Sequence, residues 1–248
     1  MHRFFLKETD LIHKDQIELF TPETIHHALN VLRITSGEKC ELVKDERLYI
    51  GQVQSIQNES IVFSIEKISE RSYESPVMVD LFQCLPKGPK LELIIQKNVE
   101  LGIHKIVLLE SKRCIVDFKN KDLEKKLSRY QKIAEEAAKQ SKRTLIPNIE
   151  GLLKLKNIEN VISSYDEVIV LYENEDQLTL KSLLHKSDAK KFAVIVGPEG
   201  GFDDSEIKHL SSVGCKIVSL GNRILRTETA GFVAVTCIQY DLGDLSNL

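Results

Sequence analysis

The sequence predicts an α/β protein in two parts: a small strand-rich domain over residues 1–74 and a parallel-sheet domain over residues 75–248. Three observations predict it. Short alternating or apolar runs crowd the N-terminal part, with turn residues between them. After Pro76 the pattern changes to apolar strands alternating with helical segments, which argues for a parallel sheet with helices on both faces. Two glycine-bearing stretches, Gly197-Pro198-Glu199-Gly200-Gly201-Phe202 and Leu220-Gly221-Asn222-Arg223-Ile224-Leu225-Arg226-Thr227-Glu228-Thr229-Ala230, each begin where such a strand ends.

In the first part the strands are expected at residues 16–20, 39–43, 48–56 and 60–68, punctuated by Gly37, Asp45-Glu46 and Asn58-Glu59, which suits a small antiparallel barrel. One helix interrupts them. Pro22 follows Thr21, a good N-cap, and Ile25, Ala28, Leu29 and Leu32 recur at helical spacing before Gly37. A boundary fits at Ser72-Tyr73-Glu74-Ser75-Pro76. Beyond it the strands are 79–85, 106–109, 168–172, 192–196 and 216–220. The connecting helix 89–102 starts at Pro89, and 122–143 buries Leu123, Leu127, Tyr130, Ala134, Ala137 and Ala138. A third helix opens on the capping box Asp203-Asp204-Ser205-Glu206, and the last spans 230–240.

Composition narrows the class. With 42% hydrophobic and 29% charged residues the 248-residue chain reads as soluble and globular. No apolar run approaches the ~18 residues of a membrane span and the start lacks a secretory core, so a cytoplasmic protein is expected. Cysteines 40, 84, 114, 215 and 237 are odd in number and far apart, which predicts free thiols. His26-His27 has no ligand partner in register, and no metal site is expected. The net charge of −3 is unevenly spread: residues 86–143 carry 15 basic against 8 acidic side chains, residues 144–248 carry 10 against 15. A local basic surface suffices for nucleic acid where the overall charge does not.

Both glycine loops are expected at the carboxyl edge of the sheet, at adjacent strand ends, where open α/β sheets bind ligands. Glycine accepts φ > 0 and lets a ligand lie against the backbone. The spacing fits neither a P-loop nor a dinucleotide fingerprint, which sets a nicotinamide oxidoreductase aside.

These two loops, with Gln96-Lys97-x-x-Glu100-Leu101-Gly102, Lys139-Gln140-Ser141-Lys142-Arg143, His2-Arg3-Phe4-Phe5 and His27-Ala28-Leu29-Asn30-Val31-Leu32-Arg33, resemble the RsmE family of ribosomal RNA N3-uridine methyltransferases, of the SPOUT superfamily. The resemblance runs the whole length. Two positions depart: Asp45-Glu46 stands where the family usually has Asp-Gly, and Lys142 replaces a common Gly. The resemblance implies a PUA-like RNA-binding β-barrel over 1–74 and a SPOUT domain over 75–248, whose chain from about Gly197 forms a deep trefoil knot. It implies S-adenosylmethionine as cofactor, bound by Leu171, Gly197, Pro198, Glu199, Gly200, Gly201, Leu220, Gly221, Ile224, Leu225 and Arg226. It implies a homodimer built on the final helix, with Gly231, Phe232, Val233 and Val235 at the interface, and 16S rRNA of the small ribosomal subunit as substrate.

N3 of uracil carries a proton that must leave before attack on the methyl. Arg226 is expected to stabilise the negative charge on the uracil oxygens. Glu228 either accepts the proton or caps the helix that starts there, and Arg226 either meets the base or pairs with Glu228. RNA contact is expected from Arg3, Arg33, Lys87, Lys97, Lys112, Arg113, Lys139, Lys142 and Arg143. The competing readings are a SPOUT enzyme acting on another RNA base or on a ribose 2′-hydroxyl, and a non-catalytic RNA-binding assembly factor.

Overall fold

The computed structural model describes residues 1–57, 59–70, 73–115 and 120–246, so the turn residue Asn58 and the boundary residue Ser72 lie outside the described residues. The chain divides into two compact units, Met1–Tyr73 with Lys142–Leu145, and Glu74–Ser141 with Ile146–Leu248.

The first unit is a six-stranded sheet of β1 (His2–Phe5), β2 (Leu11–Ile12), β3 (Gln16–Leu19), β4 (Lys39–Lys44), β5 (Arg47–Ile56) and β6 (Ile61–Ser69). Its order is β1-β4-β5-β6-β3-β2. The expected all-antiparallel arrangement is corrected at one end, where β1 runs parallel to β4. Four residues are too few to show a strand period, and the long connection between β1 and β4 allows parallel pairing. Alternate residues point inward: Phe4, Ile17, Leu19, Leu42, Val53, Ile61 and Phe63 share one core. Helix α1 (Pro22–His26) has its proline in the first turn, but the Thr21 hydroxyl does not cap it. That hydroxyl donates to the buried Asp10 carboxylate instead. The helix widens into a π-turn over His27–Val31 and stops before Arg33, at φ 55°.

Asp45 and Glu46 join β4 to β5 in a two-residue turn with φ 50° and 61°, the pair of positive angles a type I′ hairpin turn demands. Lys142 also has a positive φ, 63°. Both departures from the family pattern therefore fall where the backbone favours glycine.

A buried ionic cluster closes this unit. Arg3 Nε donates to Glu41 Oε2 at 2.9 Å and Nη1 to the Arg143 carbonyl at 2.7 Å, while the guanidinium lies 5.1 Å from the Tyr73 ring centroid. Lys142 Nζ donates to the same Glu41 oxygen and to the Met1 carbonyl, both at 2.8 Å.

The second unit holds β7 (Met78–Cys84), β8 (Lys105–Glu110), β9 (Asn148–Lys154), β10 (Glu167–Leu171), β11 (Lys191–Val196) and β12 (Lys216–Val218), in the order β12-β10-β11-β7-β8-β9. Every pairing is parallel. Strand β9 escapes the sequence pattern because it is an edge strand with mixed exposure and a mid-strand glycine, Gly151. Helices α2 (Lys90–Glu100), α3 (Asn120–Gln140), α4 (Glu159–Ile162), α5 (Leu180–Leu184), α6 (Asp204–Ser212) and α7 (Thr227–Asp241) connect or cover the strands. Three boundaries move. Pro89 precedes α2 as its cap, the positive φ of Lys142 lies beyond α3, which ends at Gln140, and α7 starts at Thr227.

One sheet face buries Phe82, Cys84, Val107, Leu109, Val170 and Ile195 with Leu210 of α6 and Ile162 of α4. The alternate residues Leu81, Ile106, Leu108, Ile169 and Val194 are fully buried too. Helix α7 packs on β7 and β11 and against α2, bringing Gly231 over Leu81 and Gln83.

Replacing Glu41 by Ala strands the Arg3 guanidinium in the interior, and a loss of about 3 kcal/mol is expected from urea unfolding. Burial pushes the Glu41 carboxyl up, but hydrogen bonds from Arg3 and Lys142 outweigh it and hold it below its ordinary value. This contribution to stability is complete above the ordinary carboxylate range. It disappears as pH falls through the lowered folded-state value, and a urea series against pH checks it.

Candidate active site

Loops at the carboxyl ends of β7, β10, β11 and β12 build the site. The expectation of adjacent strand ends is corrected, because β10 lies between the two glycine loops: Leu171 pairs with Val196 on one side and Val218 on the other. Two strand spacings set the strand ends ~10 Å apart, with Leu171 between them. They enclose a pocket of about 320 Å³. Of the expected cofactor residues, Leu171, Gly197, Pro198, Glu199, Gly201, Ile224, Leu225 and Arg226 line it. Gly200, Leu220 and Gly221 do not. The Gly200 carbonyl accepts a hydrogen bond from Arg113 Nη1 at 2.8 Å, and Leu220 and Gly221 line a separate groove between α5 and α7.

The glycine walls are closely packed, and Gly201 also has a backbone conformation that favours glycine. A Cβ on Gly197 would stand 3.1 Å from the Phe202 ring; on Gly201, at φ 65°, it would come within 2.5 Å of Glu173 Oε1. The loops are fastened together by Thr227, whose Oγ1 donates to the Gly197 carbonyl at 2.6 Å and accepts from buried Gln83 Nε2 at 3.0 Å. This places the flanking Arg226 in the pocket lining and Glu228 behind it, 3.6 Å from the lining residue Lys90.

Charge there is organised by Lys90. Its Nζ lies 2.8 Å from Glu199 Oε1 and 3.6 Å from Glu228 Oε2. Burial would raise the Glu199 carboxyl, but the hydrogen bond from Lys90, with backbone amides of Glu199 and Lys87, holds it below its ordinary value. The Lys90 ammonium is correspondingly raised, first by its bond to Glu199. Glu228 Oε2 is buried and accepts no hydrogen bond among the described residues. No side-chain bond caps α7, and Glu228 pairs with Lys90, leaving exposed Arg226 without an ion-pair partner among the described residues. No three His, Cys, Asp or Glu side chains gather as metal ligands among the described residues.

A family model described as an RNA methyltransferase domain matches residues 73–239, and one described as an RNA methyltransferase PUA domain matches residues 20–66. The chain is 32% identical to Ribosomal RNA small subunit methyltransferase E of Bacillus subtilis, over 97% of this chain and 96% of the relative. The chain belongs to the RsmE family of RNA methyltransferases. Solved structures agree. Ribosomal RNA small subunit methyltransferase E from Neisseria gonorrhoeae, bound to S-adenosylmethionine, matches with a TM-score of 0.87 at 30% identity over 99% of both chains. A putative methyltransferase from Legionella pneumophila, in complex with the same cofactor, matches at 0.85 and 29% over 98% of both.

The basic residues expected on RNA separate into two kinds. Arg3 and Arg143 are corrected: both are buried, and Arg3 is committed to Glu41. Lys142 is likewise held by Glu41, Lys97 by Glu100, and Lys139 by Glu135 and Glu136. Lys112 and Arg113 share Asp203 at 3.4 and 3.8 Å. Arg33 and Lys87 stay exposed. Sequence reasoning missed Lys90, Glu173, Thr227 and Gln83. Lys90 and Glu173 follow strands at the same edge and were findable by that rule. Gln83 carried a weaker signal, a polar residue inside an apolar strand.

Lys90→Met removes the cation beside Glu199, so the Glu199 carboxyl is expected to titrate upward toward its ordinary value, while Lys90→Arg keeps it low. A side-chain carboxyl NMR titration of the three proteins reads this directly.

Proposed function

We propose that this protein transfers the methyl group of S-adenosylmethionine to N3 of a uridine in 16S rRNA of the small ribosomal subunit. The observation that carries the reading is a glycine-walled pocket lined by carboxylates and by an arginine that has no ion-pair partner among the described residues, in a chain whose relatives bear the names given above. The pocket fits the cofactor: about 320 Å³ is within the range of small-molecule sites, and Gly197 and Gly201 bring bare backbone to its wall. Leu171, Gly197, Gly201, Ile224 and Leu225 would hold the adenosine part. When bound, the cofactor supplies an electrophilic methyl on a sulfonium.

The chain's own residues prepare the base. Arg226 donates hydrogen bonds to a uracil oxygen and stabilises the anion left when N3 loses its proton, the kind of preorganised electrostatic contribution that usually dominates. Glu228 accepts that proton, directly or through one water, while Lys90 holds its carboxylate in place. Residues 75–248 form the SPOUT domain. Its chain from Gly197 is read as a deep trefoil knot, as the resemblance to the SPOUT superfamily implies. Residues 1–74 form a PUA-like barrel that grips RNA, with Arg33 exposed; Lys87, Lys97, Lys112, Arg113 and Lys139 serve the same end in the larger domain. A ribosomal substrate places the protein in the cytoplasm. Among the described residues no helix is long and apolar enough to cross a membrane.

A homodimer through α7 completes the reading. Of the four residues expected at its interface, Gly231 and Val235 are buried in their own fold, which leaves Phe232 and Val233. Val233, Cys237 and Tyr240 line the groove of about 610 Å³ against α5, and Tyr240 is 65% exposed.

Incubation with labelled cofactor and small subunits lacking the modification, followed by primer extension, tests the activity. A stop at one uridine is expected, because N3-methylation blocks the pairing edge; label without a stop would instead indicate methylation away from that edge, on a ribose or at another base position. Arg226→Lys and Glu228→Gln are each expected to lower turnover ~100-fold with cofactor affinity retained in calorimetry. Near-normal turnover in either removes that residue from the mechanism. Light scattering on Tyr240→Glu should show a monomer where the parent protein is a dimer.

A further inference from the structure

We propose that the carboxyl ends of β7, β8 and β9 form a cationic track for the phosphodiester backbone of the RNA substrate, with Lys154 and Lys156 as its outer end. This rests on the RNA methyltransferase reading and assigns it a binding surface. The three strands are neighbours, and each delivers two cations to the edge that carries the pocket: Lys87 and Lys90 after β7, Lys112 and Arg113 after β8, Lys154 and Lys156 at the end of β9. Arg113 links the row to the pocket loop through the Gly200 carbonyl.

Ion pairs remove part of this charge, and their distribution points outward. Lys90 is taken by Glu199 and Glu228, and Asp203 draws on Lys112 and Arg113. Lys87, Lys154 and Lys156 are exposed and have no side-chain partner among the described residues. The last two flank Leu155, which is 2% exposed; its burial anchors the turn and turns both lysines to solvent. Between Lys112, Lys154, Lys156, Ser205 and His209 runs a groove of about 360 Å³. Two carboxylates also line it. Glu206 is turned inward by the amides of Lys112 and Asp203, at 2.8 and 2.9 Å, and Glu110 pairs with neither Lys154 nor Lys156 among the described residues.

The amino ends of the same strands lack this surplus. There Lys105 is bound to Asp80 and Glu150, and His104 to Asp80. Uncompensated cations in a row beside a pocket that receives a base suit a phosphate backbone. Lysine grips phosphates as a point charge without reading sequence.

The test is a binding titration of the full-length protein with unmodified 16S rRNA over a salt series. Lys154→Ala/Lys156→Ala is expected to weaken binding about tenfold and to lower the slope of log K against log salt by ~1.4–1.8, the release of counterions from two phosphates. Lys186→Ala/Lys190→Ala makes the same charge change at exposed positions before β11, toward its amino end, and is expected to match the parent protein. Cofactor calorimetry and thermal melting should be unchanged in both. The proposal is overturned if the first variant keeps the parent affinity and slope, or if the second loses as much. A parent protein that binds no cofactor would sink the methyltransferase reading instead, while the salt slopes still decide the track.

Discussion

The Thr227 hydroxyl is the contact on which the site depends. It sits between the Gly197 carbonyl and Gln83, and so joins three chain segments that are far apart in sequence: a central strand, the loop after β11 and the start of the last helix. A single neutral hydrogen bond contributes only ~1 kcal/mol, but buried partners left unpaired cost more, and a chain of such bonds acts as a unit. Because Arg226 and Glu228 flank Thr227, fastening that residue aims both of them. The placement of two charged residues is thereby set by a neutral residue between them.

The basic side chains of this protein do two different jobs, and position alone separates them. Arg3 and Lys142 converge on Glu41 in the small unit, where removing Glu41 leaves the buried Arg3 guanidinium without its carboxylate. Lys90 works at the pocket rim, where it balances Glu199 and Glu228. Lys154 and Lys156 balance nothing within the described structure and face solvent. A count of lysines and arginines cannot distinguish these cases, since burial and partner distance decide them.

The positive-φ residues tell a related story. Asp45, Glu46 and Lys142 occupy conformations that favour glycine, at a cost of order 1 kcal/mol each. At Lys142 the side chain offsets the cost through its bonds to Glu41 and the Met1 carbonyl. At Asp45-Glu46 the ten-residue strand β5, paired on both sides, holds the hairpin in register.

Much of this was legible in the residues themselves. The apolar runs of β7, β8, β10 and β11 announce a parallel sheet because strands buried on both faces need unbroken Val, Ile and Leu; the Asp203–Glu206 capping box marks α6; the glycine loops mark the pocket. The rest depended on packing between distant segments. Edge strand β9 has too little burial to leave a pattern, and β1 is too short to declare its direction. Neither the insertion of β10 between the glycine loops, nor the burial of Arg3, nor the meeting of Lys90 with Glu199 and Glu228 has a local cause. The sequence by itself determined the elements, their class and the chemistry at the sheet edge, since these follow from periodicity and side-chain type. Only the tertiary structure decided strand order and which charges meet, because a Coulomb partner is chosen by distance in space, and residues 109 and 138 positions apart become neighbours only when the sheet closes.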